Sequence, residues 1–129
     1  MNTKGEIESK IEKGMNEIFV YVFGKGPSSC RVSLVQKHAL LIIQNIFSTC
    51  EMRLLETDPG KKVYKEMRTA LLDGNCDKMK CMVGIASGVT ALHMHHDIST
   101  CTGEEAFLFS LSDVPEYIIA KKRLFERKF

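Results

Sequence analysis

The first quarter of the chain has the apolar spacing of an amphipathic helix. Thr3 and Glu6 form a capping box at its start, because a threonine hydroxyl accepts a free N–H of the first turn and the glutamate reaches back to the cap. We expect the helix to run to about Phe23 and to stop at Gly24-Lys25-Gly26-Pro27, since glycine takes the left-handed cap conformation and proline cannot continue the helix. Its predicted core stripe comprises Ile7, Ile11, Met15, Ile18, Phe19 and Val22.

The next segment has the pattern of two short strands. Residues 30–35 and 39–47 are predicted strands, joined by a turn over residues 36–38. The second strand is apolar on both faces, and such a strand is normally covered on both. We therefore expect the C-terminal helix or another subunit to shield the second face. The apolar residues concerned are Leu40 and Ile42 on one face, and Leu41 and Ile43 on the other.

A second helical region follows a strong start signal at Asp58-Pro59, an N-cap with proline in the first helical turn. Residues 49–57 before it are predicted to form a short helix or an irregular link. Gly74-Asn75 interrupts the region and is expected to kink or split it. The side chains predicted to face inward are Val63, Met67, Ala70 and Leu71 before the interruption, and Met79, Val83 and Ala86 after it.

A second hairpin and a last helix complete the pattern. Residues 89–99 are predicted as a third strand and residues 105–111 as a fourth, with a turn between them. Asp113 is the predicted cap of a C-terminal helix. On the fourth strand Phe107, Phe109 and Leu111 should face the core. On the third, strict alternation places Leu92, Met94, His96 and Ile98 on one face, and Val89, Ala91, His93, His95 and Asp97 on the other.

The order of elements predicts an α+β fold. It reads helix-β-β-helix-β-β, which gives a four-stranded, mainly antiparallel sheet with two long helices on one face, plus a C-terminal helix. The 129 residues correspond to one domain, residues 1–129.

Composition narrows the classes of function. The net charge of +2 is too small to predict a polyanion partner, so nucleic acid is disfavoured although residues 121–128 are locally basic. The five cysteines include no CxxC pair, and the N-terminus lacks an apolar signal region, so we expect a cytoplasmic protein with free thiols. No apolar run reaches about 18 residues, so membrane insertion is not expected.

The stretch from His93 to Glu105 is the one place where histidines, carboxylates and hydroxyls crowd together. His93, His95 and Asp97 share one face of the third strand, at about 7 Å intervals. Imidazole and carboxylate groups bind zinc, iron or nickel, so a divalent metal is the cofactor to consider. A closed site needs a further ligand, Cys101 or a residue of another subunit. The alternatives are polar residues on a sheet face or at a subunit contact, and a proton-transfer site.

The turn after this strand has two interpretations. Short oxygen-bearing side chains hydrogen-bond nearby backbone N–H groups, and a glycine in the turn can adopt positive φ. Alternatively, the exposed hydroxyls and N–H groups form a pocket that contacts a carboxylate or phosphate ligand. The residues concerned are Ser99, Thr100, Thr102, Gly103 and Glu104.

Three stretches of the chain resemble the MpsC-like family, small bacterial proteins described as a domain of unknown function. The most specific runs from Asp97 to Glu104, preceded by His95. The others are Gly24-Lys25-Gly26-Pro27, with Arg31-Val32 just beyond, and Asp58-Pro59-Gly60-Lys61. The likeness covers roughly residues 7–111. His93 and His96 lie outside the family pattern, and Cys101 occupies a variable position.

The resemblance implies an accessory component of a sodium-translocating, membrane-potential-generating system, with no catalytic residues to transfer. Our first hypothesis is therefore a non-enzymatic, cytoplasmic interaction or regulatory module. We expect it to be a homo-oligomer, peripheral at the inner face of the membrane, with a membrane transport protein as its partner. The second hypothesis is a metal-binding protein or metal-dependent enzyme that uses His93, His95 and Asp97. The two differ in whether His95→Ala abolishes metal binding.

Overall fold

The computed structural model describes residues 3–115 of the chain. Within these residues one antiparallel sheet has the strand order β1-β2-β4-β3, so the two hairpins are joined through their central strands β2 and β4. The order of elements confirms the predicted α+β class, although the C-terminal helix predicted after Asp113 falls outside the described residues. The elements are α1 (Lys4–Phe23), β1 (Ser29–Val35), β2 (His38–Gln44), α2 (Thr49–Leu54), α3 (Asp58–Gly74), α4 (Cys76–Ser87), β3 (Ala91–Ile98) and β4 (Glu104–Leu111).

The first helix begins and ends where its sequence predicts, and the Thr3 half of the predicted capping box is present. The Thr3 hydroxyl accepts the N–H of Glu6 at 3.2 Å. At the other end Gly24 has φ +77°, and its N–H donates to the carbonyl of Val20. This left-handed cap is the conformation that glycine adopts without a steric penalty. The helix buries Ile7, Ile11, Met15, Ile18 and Phe19, and Val22 packs at the border of the core.

The hydrophobic core lies between the helices and one face of the sheet, here called the inner face. Leu41 pairs with Phe107, and Ala39 pairs with Phe109, so the two central strands contribute adjacent apolar side chains to this face. Helices α1 and α4 contribute most of the remaining core. The buried cluster contains Ile7, Ile11, Met15, Ile18, Phe19, Cys30, Leu34, Ala39, Leu41, Ile43, Leu72, Met79, Val83, Phe107, Phe109 and Leu111.

The other face of the sheet, here called the outer face, carries exposed or half-buried side chains. Leu40 lies there with 37% of its surface exposed, and Ile42 is half-buried. Among residues 3–115, the helices that build the core all pack on the inner face. The predicted cover for the second apolar face of β2, either the C-terminal helix or another subunit, therefore stays a prediction.

Helix α3 faces the sheet with a different side from the one predicted. Val63 and Met67, predicted to face inward, are 53% and 45% exposed. The buried stripe is Gly60, Tyr64, Arg68 and Leu72, at spacings of four. The prediction was wrong because it ranked positions by hydrophobicity, whereas a buried partner for Arg68 decides the orientation. The predicted interruption at Gly74-Asn75 is confirmed, because α3 ends at Gly74 and α4 begins at Cys76.

Strand β3 contains an irregularity that strict alternation could not reveal. The pairing with β4 shifts register between Ala91 and His93. Such a bulge moves the residues before it to the opposite face. Ala91 therefore packs against the core, and Leu92 is 46% exposed, which reverses the prediction for both. From residue 93 onward the predicted alternation holds.

No helix within residues 3–115 combines the length and the apolar character needed to cross a lipid bilayer.

We predict that Cys30 resists alkylation in the folded protein while the exposed Cys50, Cys81 and Cys101 react. Burial, assisted by the charge of Glu12, raises the pKa of the Cys30 thiol to about 12, and the thiolate is the reactive form. Peptide mass spectrometry after iodoacetamide treatment at pH 8 should find Cys30 modified only when denaturant is added. Modification of Cys30 at the rate of Cys81 would contradict this placement.

Candidate functional site

The turn between β3 and β4 is closed by its own backbone and hydroxyl groups. The N–H of Gly103 donates to the carbonyl of Ser99 at 2.9 Å, and the N–H of Ser99 donates to the carbonyl of Glu104 at 2.8 Å. The Ser99 hydroxyl accepts from the N–H of Thr102, and the Thr102 hydroxyl accepts from the N–H of Glu104. Two of the hydroxyls considered as ligand contacts thus hydrogen-bond within the turn.

This turn is anchored to the end of β2. The side-chain amide of Gln44 donates to the carbonyl of Thr102 at 2.6 Å. Both the backbone and the side chain of Asn45 donate to the carbonyl of Gly103. Gly103 has φ +77°, and a Cβ atom there would lie 2.8 Å from the carbonyl oxygen of Asn45. Only glycine satisfies both requirements, so Gly103 fixes how the turn meets β2.

His93, His95 and Asp97 lie on the outer face of β3 and are exposed. One Asp97 oxygen accepts the N–H of Ile98 at 2.9 Å and lies 3.5 Å from the ammonium of Lys65. Within the described part of the chain, no three His, Cys, Asp or Glu side chains converge in a way that could hold a metal ion. A metal site here would need ligands from outside this arrangement, and the metal hypothesis stays a prediction.

His96, the third histidine of this region, points the other way. It lies on the inner face, with its ring 5.8 Å from that of Phe107 between centroids. Its Nε2 is 3.4 Å from a carboxylate oxygen of Asp73 at the end of α3. His96 is thus separated from His93 and His95 by the sheet itself.

A shallow cleft of about 420 Å³ lies beside the turn. Lys65 of α3 forms one wall, and the other residues come from the hairpin. Cys101 is exposed there. The lining consists of Lys65, Asp97, Ile98, Ser99, Thr100, Cys101, Glu104 and Ala106.

A buried ion pair lies on the inner face, one residue after this turn. Glu105 of β4 and Arg68 of α3 are 1% and 4% exposed. Arg68 Nη2 donates to Glu105 Oε1, and Nε donates to Oε2 at 3.1 Å, which makes a bidentate ion pair. Such paired hydrogen bonds between guanidinium and carboxylate are short and directional.

Further contacts hold the guanidinium of Arg68 in place. Nη2 donates to the Asn45 side-chain oxygen at 3.1 Å, and Nη1 donates to the Tyr64 hydroxyl at 3.3 Å. The face of the guanidinium lies 4.1 Å from the centre of the Phe23 ring. Burial alone would lower the pKa of Arg68, but the hydrogen bonds and charge of Glu105 outweigh it and raise the pKa above its ordinary value. Arg68 therefore stays charged inside the protein.

A second ion pair joins the segment after α1 to α2. Lys25, in the cap of α1, donates from Nζ to the carbonyl of Ile46 at 2.7 Å and to Glu51 Oε1 at 3.0 Å. Glu51 also accepts the backbone N–H of Ser48 in a capping box that starts α2. Partial burial would raise the pKa of Glu51, but the Ser48 N–H and the Lys25 ammonium lower it below its usual value. Glu51 is therefore ionised at neutral pH.

Between the two ion pairs lies a pocket of about 460 Å³, here called the Arg68 pocket. Its floor is Arg68, its rim is Lys25 and Glu51, and its walls are apolar side chains of α1 and α3. A volume of this size suits a small organic molecule or the side chain of a partner. The full lining is Phe19, Val22, Phe23, Lys25, Gly26, Asn45, Ile46, Ser48, Glu51, Tyr64, Met67, Arg68 and Leu71.

One of the three stretches that carry the family resemblance lines this pocket, and the other two are adjacent in sequence to residues that line or support it. Gly24-Lys25-Gly26-Pro27 supplies the rim lysine. Asp58-Pro59-Gly60-Lys61 starts the helix that carries Tyr64 and Arg68. At Gly60 a Cβ would lie 1.7 Å from the carbonyl oxygen of Leu54, so glycine is needed to bring α3 against α2. The hairpin motif ends beside Glu105, the partner of Arg68.

Sequence reasoning missed the Arg68 pocket, although one signal was available. Alternation along β4 places Glu105 on the same face as Phe107 and Phe109, which is the core face. A carboxylate at a core position requires a buried cation or donor. Arg68 is the basic residue on the stripe of α3 that faces it.

These features define a small α+β protein with one antiparallel sheet, helices on one face, and a pocket built over a buried ion pair. Residues 3–113 match the family described as "Na+-translocating membrane potential-generating system (MpsC)", so the chain belongs to the MpsC family. It is also similar to the uncharacterized protein YbcI of Bacillus subtilis (strain 168), with 24% identity over 109 residues, which cover 84% of this chain and 88% of YbcI. No solved structure matches the chain.

We predict that Glu105→Gln lowers the free energy of unfolding by about 3–5 kcal/mol, because it leaves the Arg68 charge buried without a counter-ion. The double variant Arg68→Met, Glu105→Gln should lose much less than the sum of the two single variants, because neither charge is then stranded. Urea unfolding followed by circular dichroism measures both effects.

The exposed ion pair between Arg53 and Glu56 provides the control for this experiment. Its side chains are 76% and 60% exposed, so Glu56→Gln should cost less than about 1 kcal/mol. If Glu105→Gln costs no more than Glu56→Gln, the buried pair does not hold α3 on the sheet.

Proposed function

We propose that this protein is a non-enzymatic accessory module of a sodium-translocating system, and that it binds a membrane component of that system through its outer sheet face. Two facts support the proposal: the description of the MpsC family, and the apolar character of the outer face. The observation on which the proposal rests is the apolar outer face.

The outer face has an apolar strip across its two central strands. Leu40 pairs with Leu108 and Ile42 pairs with Ala106, so four apolar side chains form one contiguous patch, here called the outer strip. Leu40 is 37% exposed, and the other three side chains are half-buried. The free energy of the system falls when a partner removes side chains of this kind from water.

Polar and charged residues border the outer strip on both sides. In β1, Arg31 lies opposite Ile42 and Ser33 lies opposite Leu40. In β3, Asp97 lies opposite Ala106 and His95 lies opposite Leu108. An apolar centre with a polar rim is the usual composition of a protein interface. His95 and Asp97, which the sequence suggested as metal ligands, would then contact the partner at the rim, and this contact requires no metal.

We propose that the protein acts on the cytoplasmic side of the membrane. All five cysteines lie within the described residues and are free thiols, as expected in a reducing compartment. Binding to the partner would then be peripheral. A second copy of the chain is the other partner to test, because it would cover the same outer strip.

We predict that everted membrane vesicles from cells lacking this protein regain sodium-dependent membrane potential when the purified protein is added. Leu40→Asp, which places a charge in the outer strip, should abolish this effect while leaving the fold intact. Val63→Asp is the matched control, because Val63 is 53% exposed on α3 and away from the sheet face. Sodium uptake and a potential-sensitive dye provide the measurements.

The proposal fails if the vesicles generate the same potential with and without the protein, or if Leu40→Asp is as active as Val63→Asp. Sedimentation of the purified protein separates the two occupants of the strip. A dimer that Leu40→Asp converts to a monomer would assign the strip to a second copy.

The alternative function, metal binding through His93, His95 and Asp97, rests on their shared exposed face of β3. It predicts tight, stoichiometric zinc binding by calorimetry, which His95→Ala abolishes and His38→Ala, a substitution in the other hairpin, does not. Weak zinc binding that is equal in both variants would remove this alternative.

A further inference from the structure

We propose that the Arg68 pocket binds a small carboxylic acid with an apolar body, whose carboxylate lies between Arg68 and Lys25. This site goes beyond the proposed partner contact, since it lies on the helical side of the sheet. The hydrogen-bond capacity, the charge and the walls of the pocket support it.

At the floor of the pocket, the Arg68 guanidinium has one N–H group that is not used in a hydrogen bond within residues 3–115. A guanidinium carries five N–H groups. In Arg68, two of them reach Glu105, one reaches Asn45 and one reaches Tyr64. The remaining N–H, on Nη1, has no acceptor among residues 3–115, and Arg68 lines the pocket. A ligand that supplies an acceptor there would give all five N–H groups of the guanidinium a hydrogen-bond partner.

The rim has a second cationic donor. The Lys25 ammonium carries three N–H groups, of which two reach the Ile46 carbonyl and Glu51. Its side chain is 48% exposed, so an anion that enters the pocket meets Lys25 first and Arg68 when seated. Tyr64 contributes a neutral hydroxyl beside Arg68, because burial raises its pKa to about 12 and keeps the proton in place.

Two acceptors next to these donors already have partners. Glu51 Oε1 accepts from Lys25 and from the N–H of Ser48, and the Asn45 side-chain oxygen accepts from Arg68. The N–H groups left without an acceptor belong to two cationic side chains, Arg68 and Lys25. A ligand that accepts hydrogen bonds and carries negative charge matches them.

The same charges limit the ligand to a single negative charge. Glu105 lies directly beneath Arg68 and neutralises most of its charge, so a phosphate dianion would be poorly compensated. The walls are apolar and include Val22, Met67 and Leu71. A carboxylate on an aliphatic or aromatic body satisfies both conditions.

The test uses hexanoate and 1-hexanol as probes, which share an apolar chain and differ in the anionic head. Nuclear magnetic resonance of the methyl groups should show saturable shifts with hexanoate at Val22, Met67 and Leu71, with a dissociation constant on the order of 1 mM for a ligand of this size. Hexanol should bind about tenfold more weakly or worse, because it lacks the charge-assisted hydrogen bonds.

Two pairs of variants locate the site. Lys25→Met should weaken hexanoate about tenfold and leave hexanol unchanged, whereas Lys62→Met, on an exposed part of α3, should change neither. Met67→Trp should fill the pocket and abolish hexanoate binding, whereas Val63→Trp, one turn earlier on α3, should not. Both positions are about half exposed, so both variants should fold.

Equal affinity for hexanoate and hexanol would overturn the proposal, since the pocket would then be only apolar. It is also overturned if Met67→Trp binds hexanoate like the unmodified protein, or if the shifts are confined to other parts of the molecule. These results do not depend on the sodium-flux experiment, so the two proposals fail separately.

Discussion

The buried ion pair between Arg68 and Glu105 is the constraint on which the arrangement of helices and sheet depends. Glu105 lies in the central strand β4, where it pairs with Ile43 on one side and Ile98 on the other. A carboxylate in that position needs a cation, and α3 supplies it. Buried ion pairs contribute little net stability compared with apolar packing, but the loss of one partner is costly. The pair therefore specifies the orientation of α3 more than it adds free energy.

This orientation explains the features around it. When Arg68 faces the sheet, Tyr64 and Leu72 are buried on the same stripe, while Val63 and Met67 turn outward. The Asn45 side chain joins the two halves of the site, because its oxygen accepts from Arg68 and its amide donates to the carbonyl of Gly103. The hairpin turn and the Arg68 pocket are consequently parts of one hydrogen-bonded unit.

Local patterns were sufficient for most elements of the fold. The α1 stripe, the glycine cap at Gly24, the proline start of α3 and both hairpins follow from spacing and cap chemistry. Two features depend on partners distant in sequence and could not be predicted from local patterns. The buried face of α3 is chosen by an ion pair 37 residues apart in sequence, and the reversal at Ala91 and Leu92 comes from a register shift against β4. The candidate site lies where that long-range pairing acts. The histidines of β3 are clustered in sequence, which suggested a shared site, but the sheet separates His96 from His93 and His95.

The most direct test is hydrogen exchange at the Nε–H of Arg68, followed by ¹⁵N nuclear magnetic resonance of the unmodified protein at neutral pH. Arg53, whose side chain is 76% exposed in a surface ion pair, is the internal reference. If Arg68 is buried and donates through Nε to Glu105, its Nε–H should exchange far more slowly than that of Arg53. Exchange at the rate of Arg53 would mean that the guanidinium is open to solvent, and the buried pair, the orientation of α3 and the floor of the Arg68 pocket would all be contradicted.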